Sequence, residues 1–380
     1  MEELFFELLR VVVGKQDCLS RVPNEKEWKQ LADIATKQFL MGICFAGIQL
    51  LQKKGISPPR DLFLNWATYS EQIKDINKDK NIQCVKLQNQ LRKHGMRSCI
   101  LKGQGNSMMY EKLAPQLKYT RHSGDIDVWA EGGFERVVKF VLTYQPTKSI
   151  TERHIKLDVF KDTEVEMHFK VEQLINRIKD RKLQRWLKQE EERQMKHRVP
   201  FEGQSLILPT TDFNIVVLLL HIYRHFFRSG IGLRQITDYF VLLETQEISD
   251  EEKVRVKELV RSFGLDRFAS ALMWVLGHIF HLERERMLWA PNENIGRFLL
   301  DEVMMMGNFG KTDERFVHQN KGNYFVRSWR FCSSKMRFLK VFPTETCWLP
   351  IDHFLSGAEM VLNKVKAAQF KAASTPNSRS

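Results

Sequence analysis

Two aspartates stand one residue apart in HSGDIDVWAEGG, a stretch that otherwise has the apolar composition of a short buried strand. Side chains alternate between the two faces of a strand, so Asp125 and Asp127 should project from one face while Ile126 and Val128 enter the core. Burying unpartnered carboxylates is costly, and a divalent cation would compensate. The alternative is an exposed edge strand with no ligand, because a D-x-D triplet alone is a weak signal.

A third carboxylate is predicted on one of two downstream strands, HIKLDVF and VEMHFKV. Alternation along VEMHFKV places Glu166 and His168 on the face opposite the core, and along HIKLDVF it does the same for Asp158. A hairpin with a three-residue loop at 161–163 would set Glu166 across from Asp158. Both carboxylates are candidates, and Glu166 is preferred because its strand has the cleaner alternation.

Three carboxylates on one sheet face repel one another, which raises their pKa values. Mg²⁺, or Mn²⁺ in its place, takes hard oxygen ligands and would reverse that penalty. The predicted metal ligands are therefore Asp125, Asp127 and Glu166, which could share two metals and support an in-line phosphoryl displacement. His168 lies two residues from Glu166 on the same face, where it could orient that carboxylate or contact a phosphate.

A phosphate-binding turn is predicted upstream, in CILKGQGNSMMY. A strand ends there at Lys102 and Gly103 and a helix follows, whose first N–H groups and positive dipole end favour phosphate. Lys102 would add a point charge, Asn106 or Ser107 a donor or cap, and Arg121 a further contact to a phosphate oxygen. The structural alternative is an ordinary strand-to-helix turn with a surface lysine.

Hydrophobic periodicity indicates the elements that position these residues. Residues 1–95 are helical almost throughout, residues 96–175 carry the short strands, and residues 176–370 return to helices. Residues 371–380 are expected to form a flexible tail. The predicted fold class is α+β, with a small mixed sheet between N-terminal and C-terminal helical regions.

Composition limits the setting and the partners. The 380-residue chain has a formal net charge of +13, which favours anionic partners such as nucleotides. Its six cysteines form no C-x-x-C pair, no secretory signal is recognisable, and no apolar run is long enough to span a membrane, so a cytoplasmic location is expected. Aromatic and basic residues near the C-terminus could bind nucleic acid, but their helical spacing favours core packing. The aromatic members of that group are Trp329, Phe331, Phe338, Phe342 and Trp348.

Taken together, these motifs resemble the nucleotidyltransferase superfamily of the DNA polymerase beta type. More narrowly, they are similar to an uncharacterised nucleotidyltransferase family found largely in bacteria. The resemblance covers roughly residues 60–245, through the segments ILKG, YTRHSGDIDVWA, VEMHF, LLLHIYRHF and GLRQITDYFVLL.

The resemblance implies that Asp125 and Asp127 bind metal, that Glu166 is the third carboxylate and that Gly103 is the turn glycine at the phosphates. It also places Arg234 toward the nucleotide, although an ion pair with Asp238, four residues further on, is the structural alternative. The chain departs from the superfamily at Gln104, where Gly or Ser is usual, and its connection from the turn to the first aspartate is longer.

The predicted function is metal-dependent transfer of a nucleoside monophosphate from an NTP, with ATP expected, to a hydroxyl group. The acceptor is a protein, a small molecule or RNA, and pyrophosphate is released. The alternative is an inactive nucleotide-binding or protein- or RNA-interaction module on the same fold, although such a module has no use for clustered unpaired carboxylates.

Overall fold

A computed structural model describes residues 1–145, 149–307 and 324–374. The chain forms two compact units, and each is built from three segments. In the described residues the first unit contains 1–79, 106–123 and 211–307, and the second contains 80–105, 124–210 and 324–374. The predicted boundaries near residues 95 and 175 follow composition along the chain and stay a prediction. Of the predicted tail, residues 375–380 lie outside the described residues, and residues 371–374 are helical.

The N-terminal part is helical as predicted, with α1 (Glu2–Val12), α2 (Glu25–Lys37), α3 (Met41–Gln52) and α4 (Arg60–Lys93). Local sequence explains the boundaries. Asn24 and Glu27 form a capping box at the start of α2, and the segment GISPPR separates α3 from α4.

The first unit continues with further helices. They are α5 (Gly103–Leu113), which starts in the second unit, followed by α8 (Thr211–Arg228), α9 (Leu233–Thr245), α10 (Asp250–Phe263), α11 (Asp266–Phe280) and α12 (Glu293–Met306). The apolar run FNIVVLLLHIY lies in α8, where nearly every residue from 213 to 227 is buried. In the part of the chain that the structure describes, no helix has the length and apolarity needed to cross a membrane.

The sheet of the second unit contains β1 (Ser98–Leu101), β2 (Ile126–Ala130), β3 (His154–Leu157) and β4 (Val165–His168). Their order is β1-β2-β4-β3, with β2 and β4 parallel and the two outer pairs antiparallel. The predicted α+β class, a small mixed sheet with flanking helices, is therefore confirmed.

Ile126, Val128, Val165 and Met167 are buried, as their predicted place on the core face requires. The predicted loop between β3 and β4 is wrong in length. The connection runs from residue 158 to 164, because β3 ends where the N–H of Asp158 donates to the side chain of Gln145. That loop is still odd in length, so the core faces of the two strands coincide.

This register changes the pairs that the sequence predicted across β3 and β4. Lys156, and not Asp158, lies opposite Glu166. Val159, which alternation along HIKLDVF predicts on the core face opposite Asp158, is 40% exposed.

The remaining elements of the second unit are α6 (Gly133–Tyr144), α7 (Arg177–Gln194), β5 (Arg198–Phe201), β6 (Gln204–Ile207), α13 (Tyr324–Lys335) and α14 (Pro343–Ser374). The β5–β6 hairpin was not predicted. Its turn at Glu202 and Gly203 has two positive φ angles, 47° and 72°, without the Asn-Gly or Asp-Gly signal that usually marks such turns. In the aromatic C-terminal part, Phe338 and Phe342 are buried whereas Trp329 is 75% exposed.

Candidate active site

The polar face of the sheet brings the predicted carboxylates together through strand register. Parallel pairing of β2 with β4 sets Asp127 beside Glu166. Antiparallel pairing of β1 with β2 sets Leu101, the residue before Lys102, opposite Asp127. The end of β1 therefore delivers Lys102 to the strand that carries the aspartates.

Asp127 is almost fully buried and has two cationic neighbours. Its Oδ1 lies 3.0 Å from Nζ of Lys102 and accepts a 2.8 Å hydrogen bond from Nε2 of His168. Burial alone would raise the pKa of Asp127, but Lys102 and His168 hold it far below its ordinary value. The carboxylate is ionised across the physiological pH range.

The turn that supplies Lys102 has an unusual backbone. Lys102 has φ +46° although it is not a glycine, and Gly103 follows with φ +29° and starts α5. A left-handed conformation at a lysine carries a strain cost, which the buried contact with Asp127 offsets. Gln104, where the superfamily usually has Gly or Ser, donates a 2.6 Å hydrogen bond to Asn81 of α4. Gln104 thus fastens the start of α5 to that helix.

Glu166 lies against two histidines. Its Oε2 is 3.1 Å from Nδ1 of His154 and 3.6 Å from Nε2 of His168. Burial would raise the pKa of Glu166, yet its contact with His168 keeps it below the usual range. Burial would lower the pKa of His168, but its two carboxylate neighbours raise it. His154 is different, because burial and the nearby His168 lower its pKa to about 3 and leave it neutral.

Asp125 immediately precedes β2 and is only partly buried. Burial and the neighbouring charges of Asp127 and Glu166 raise its pKa to about 6, and Lys102 offsets only part of this. Oxygens of Asp125, Glu164 and Glu166 lie within 4.8 Å of one another. This excess of negative charge, with oxygen donors close together, fits a hard divalent cation.

The other predicted nucleotide ligands belong to the first unit. Asn106 accepts a 3.1 Å hydrogen bond from Asn214, and Ser107 is buried one residue further along α5. Arg234 donates to the backbone oxygen of His122 at 3.0 Å. Their role in nucleotide binding stays a prediction.

Arg121 has a strong partner within the first unit. Its Nε and Nη2 each lie 2.7 Å from the carboxylate of Asp238, which also accepts a 2.7 Å hydrogen bond from Tyr110. All three side chains are buried. Asp238 therefore pairs with Arg121, and not with Arg234 as the helical spacing suggested. In this arrangement Arg121 has a clear structural role.

Three neighbours of the cluster were not assigned to the site from the sequence: His154, Lys156 and Glu164. Alternation along β3 does place His154 and Lys156 on the polar face, but only the β3–β4 register brings them to Glu166 and His168. Lys156 forms a 2.5 Å ion pair with Glu164. Asp158, the rival third carboxylate, is exposed and outside both carboxylate groups that could hold an ion in the described residues.

Comparison with known proteins identifies the family of this chain. A family model described as an uncharacterised nucleotidyltransferase matches residues 24–281. Neither the comparison with curated proteins nor that with solved structures gives a match. The matched range contains every residue of the cluster described above.

Proposed function

This chain belongs to the uncharacterised nucleotidyltransferase family, and from that premise we propose that it transfers a nucleoside monophosphate from an NTP to a hydroxyl group. Pyrophosphate would leave as the nucleotide is transferred. Membership supports nucleotidyl transfer as the class of activity. The metal, the nucleotide and the acceptor belong to the proposal.

One observation carries the proposal. Three carboxylates, Asp125, Asp127 and Glu166, gather on one sheet face, and the strand-to-helix turn at Lys102 and Gly103 ends beside them. A structural role would favour paired charges, but burial and the like charges of Asp127 and Glu166 raise the pKa of Asp125. Such perturbed carboxylates are typical of functional sites.

The donor set fits a divalent metal. A common ion would be within reach of oxygens of Asp125, Glu164 and Glu166. Asp127 is paired with Glu166 across β2 and β4, so it lies beside this group. We propose Mg²⁺, or Mn²⁺ in its place, which would neutralise phosphate charge as the displacement proceeds.

The chain's own residues bind, orient and accept a proton. Lys102 supplies a positive charge at the phosphate side, and α5 begins there at Gly103, so the positive end of its dipole favours an anion. His168 holds Asp127 in a fixed orientation through its 2.8 Å hydrogen bond. Glu166 is ionised at neutral pH, because its pKa is lowered, and in this proposal it helps to deprotonate the acceptor hydroxyl.

The cysteines are consistent with the cellular location that the sequence predicts. All six are free thiols, which supports a reducing, cytoplasmic location. ATP is the first nucleotide to test. The acceptor is a hydroxyl of a protein, a small molecule or RNA.

The proposal is tested by thermal unfolding with each of the four NTPs, with and without Mg²⁺ or Mn²⁺. A ligand that binds only the native state stabilises it by about 2.7 kcal/mol at one hundred times its dissociation constant. We expect a metal-dependent rise of the midpoint with at least one NTP. The rise should vanish in Asp125→Ala/Asp127→Ala.

Asp158→Ala is the matched control, because it removes an exposed carboxylate from the loop beside the same sheet. It should keep the full midpoint shift. No shift with any NTP in the wild type would reject nucleotide binding and favour the interaction module. A shift without pyrophosphate release on addition of candidate acceptors would point to an inactive nucleotide-binding protein.

A further inference from the structure

The polar sheet face has a nitrogen-rich side that the predicted metal site does not use. His154 of β3 and His168 of β4 are directly opposed in register, and Glu166 is two residues from His168 on the same face. Ligand atoms of these three residues lie within 4.8 Å of one another. The second group of potential ligands, Asp125, Glu164 and Glu166, contains oxygen only and shares Glu166 with the first.

Distances within the histidine group match a coordination sphere. Oε2 of Glu166 is 3.1 Å from Nδ1 of His154 and 3.6 Å from Nε2 of His168. Metal–nitrogen and metal–oxygen bonds of about 2.1 Å give ligand–ligand separations of about 3.0–3.5 Å. Oδ1 of Asp127, 2.8 Å from Nε2 of His168, lies beside this group and could complete it.

The hydrogen bonding of His154 also indicates a ligand. His154 is 7% exposed and His168 is fully buried. Nδ1 of His154, the atom that faces Glu166, finds no hydrogen-bond partner among the described residues. A histidine buried only for structure normally has its ring nitrogens satisfied. Nδ1 of His154 points at Glu166 over 3.1 Å without hydrogen-bond geometry, as expected for two ligands of one ion.

We propose that His154, His168 and Glu166 form a transition-metal site, with Asp127 beside it, and that Glu166 bridges it to the oxygen-only position formed with Asp125 and Glu164. Two imidazoles favour Zn²⁺ or Co²⁺ over Mg²⁺, since Mg²⁺ prefers oxygen. This inference specifies which metal the sheet face binds. It rests on the proposed function only where that metal is given a role in catalysis. Metal binding itself is independent of turnover.

Direct metal binding to the full chain tests the site. The chain is freed of metal with a chelator, and Co²⁺, Zn²⁺ and Mg²⁺ are then added separately in equilibrium dialysis, with Co²⁺ also followed by its visible absorption. We expect one Co²⁺ to bind at least tenfold more tightly than Mg²⁺. His154→Ala should weaken Co²⁺ binding by about 100-fold and leave the affinity for Mg²⁺ within a factor of three.

Controls separate this site from other sources of binding. His168→Gln keeps a side-chain N–H that can donate to Asp127, so it removes the ligand with less risk to the fold than alanine, and it should also lose Co²⁺. His94→Ala removes a histidine of the second unit outside the cluster and should bind Co²⁺ normally. Circular dichroism of each metal-free variant verifies that it folds. Because all six cysteines are free, a thiolate charge-transfer band would assign Co²⁺ to them and overturn the proposal.

The outcomes distinguish this inference from the proposed function. Unchanged Co²⁺ binding in His154→Ala and His168→Gln, or no preference for Co²⁺ over Mg²⁺ in the wild type, would overturn the site even if the NTP-dependent midpoint shift persists. Co²⁺ binding that requires both histidines, with no shift for any NTP, would support the metal site and reject the nucleotidyl-transfer proposal. Asp125→Asn, which leaves the histidine group intact, should keep Co²⁺ binding and lose the Mg²⁺-dependent NTP shift.

Discussion

Asp125 should destabilise the metal-free protein, so replacing it with asparagine should stabilise the fold. Burial and the neighbouring charges of Asp127 and Glu166 raise the pKa of this carboxyl group from an ordinary value of 3.8 to about 6. One pKa unit corresponds to about 1.4 kcal/mol, so the ionised carboxylate costs the folded state up to about 3 kcal/mol. Because Asp125 is partly exposed, solvent screening brings the expected gain of Asp125→Asn at pH 8 to about 1–3 kcal/mol.

The pH dependence follows from the sign of the shift. The folded state binds the Asp125 proton more tightly than the unfolded state, so protonation stabilises the fold. This stabilisation is fully present below about pH 4 and is lost as the pH rises through about 6. The advantage of Asp125→Asn should therefore be largest above pH 7 and disappear near pH 4.

Urea unfolding followed by circular dichroism, between pH 4 and 8 with a chelator present, measures the effect. Glu164→Gln is the matched control, because it removes a neighbouring carboxylate that is already ion-paired with Lys156 at 2.5 Å. It should bring no stabilisation. With saturating Mg²⁺ and NTP the order should reverse, since only the wild type gains free energy from the ligand. A loss of stability in Asp125→Asn at pH 8 without metal, or a gain that does not vary with pH, would refute this reasoning.

Three further substitutions test the neighbouring contacts. Lys102→Ala should destabilise the metal-free protein by about 3–5 kcal/mol, because it removes one of the two cations that compensate the buried carboxylate of Asp127. Urea unfolding measures this, and a change below 1 kcal/mol would contradict it. Asp238→Asn should lower the free energy of unfolding by a similar amount, because Arg121 loses both hydrogen bonds to a charged partner. Thermal unfolding measures this, and an unchanged midpoint would argue against a structural role for this pair. Gly103→Ala should lower the free energy of unfolding by about 1 kcal/mol, because Gly103 has a positive φ of 29°. It should also reduce the NTP-dependent rise of the unfolding midpoint. An unchanged rise would show that this turn does not bind the phosphates.

Patterns within short stretches of sequence were enough to predict the helices and the polar faces of the strands. Alternation placed Asp127, Glu166 and His168 on the polar side of short strands, and periodicity identified the long helices. Both inferences depend only on residues a few positions apart. The same rules did not predict the β5–β6 hairpin, because its strands are short and its Glu-Gly turn lacks the usual residue types.

Register and distant partners could not be predicted because they depend on residues far apart in the chain. The pairing of β3 with β4 depends on where β3 ends, and the Gln145 side chain decides this by taking the N–H of Asp158. Arg121 pairs with Asp238, which lies 117 positions further along the sequence. For that reason the sequence favoured a helical Arg234–Asp238 pair that the fold does not make.

The polar sheet face also shows why a stable fold and a metal site conflict on the same strands. The sheet buries Asp127 and Glu166, and in the metal-free chain the compensating positive charge comes from Lys102 and His168. That compensation reaches Asp125 only in part, so burial and the remaining excess of negative charge raise its pKa. A cation bound at the oxygen-only position would relieve this excess. Asp125, which destabilises the metal-free fold, is therefore a residue through which metal binding should stabilise it.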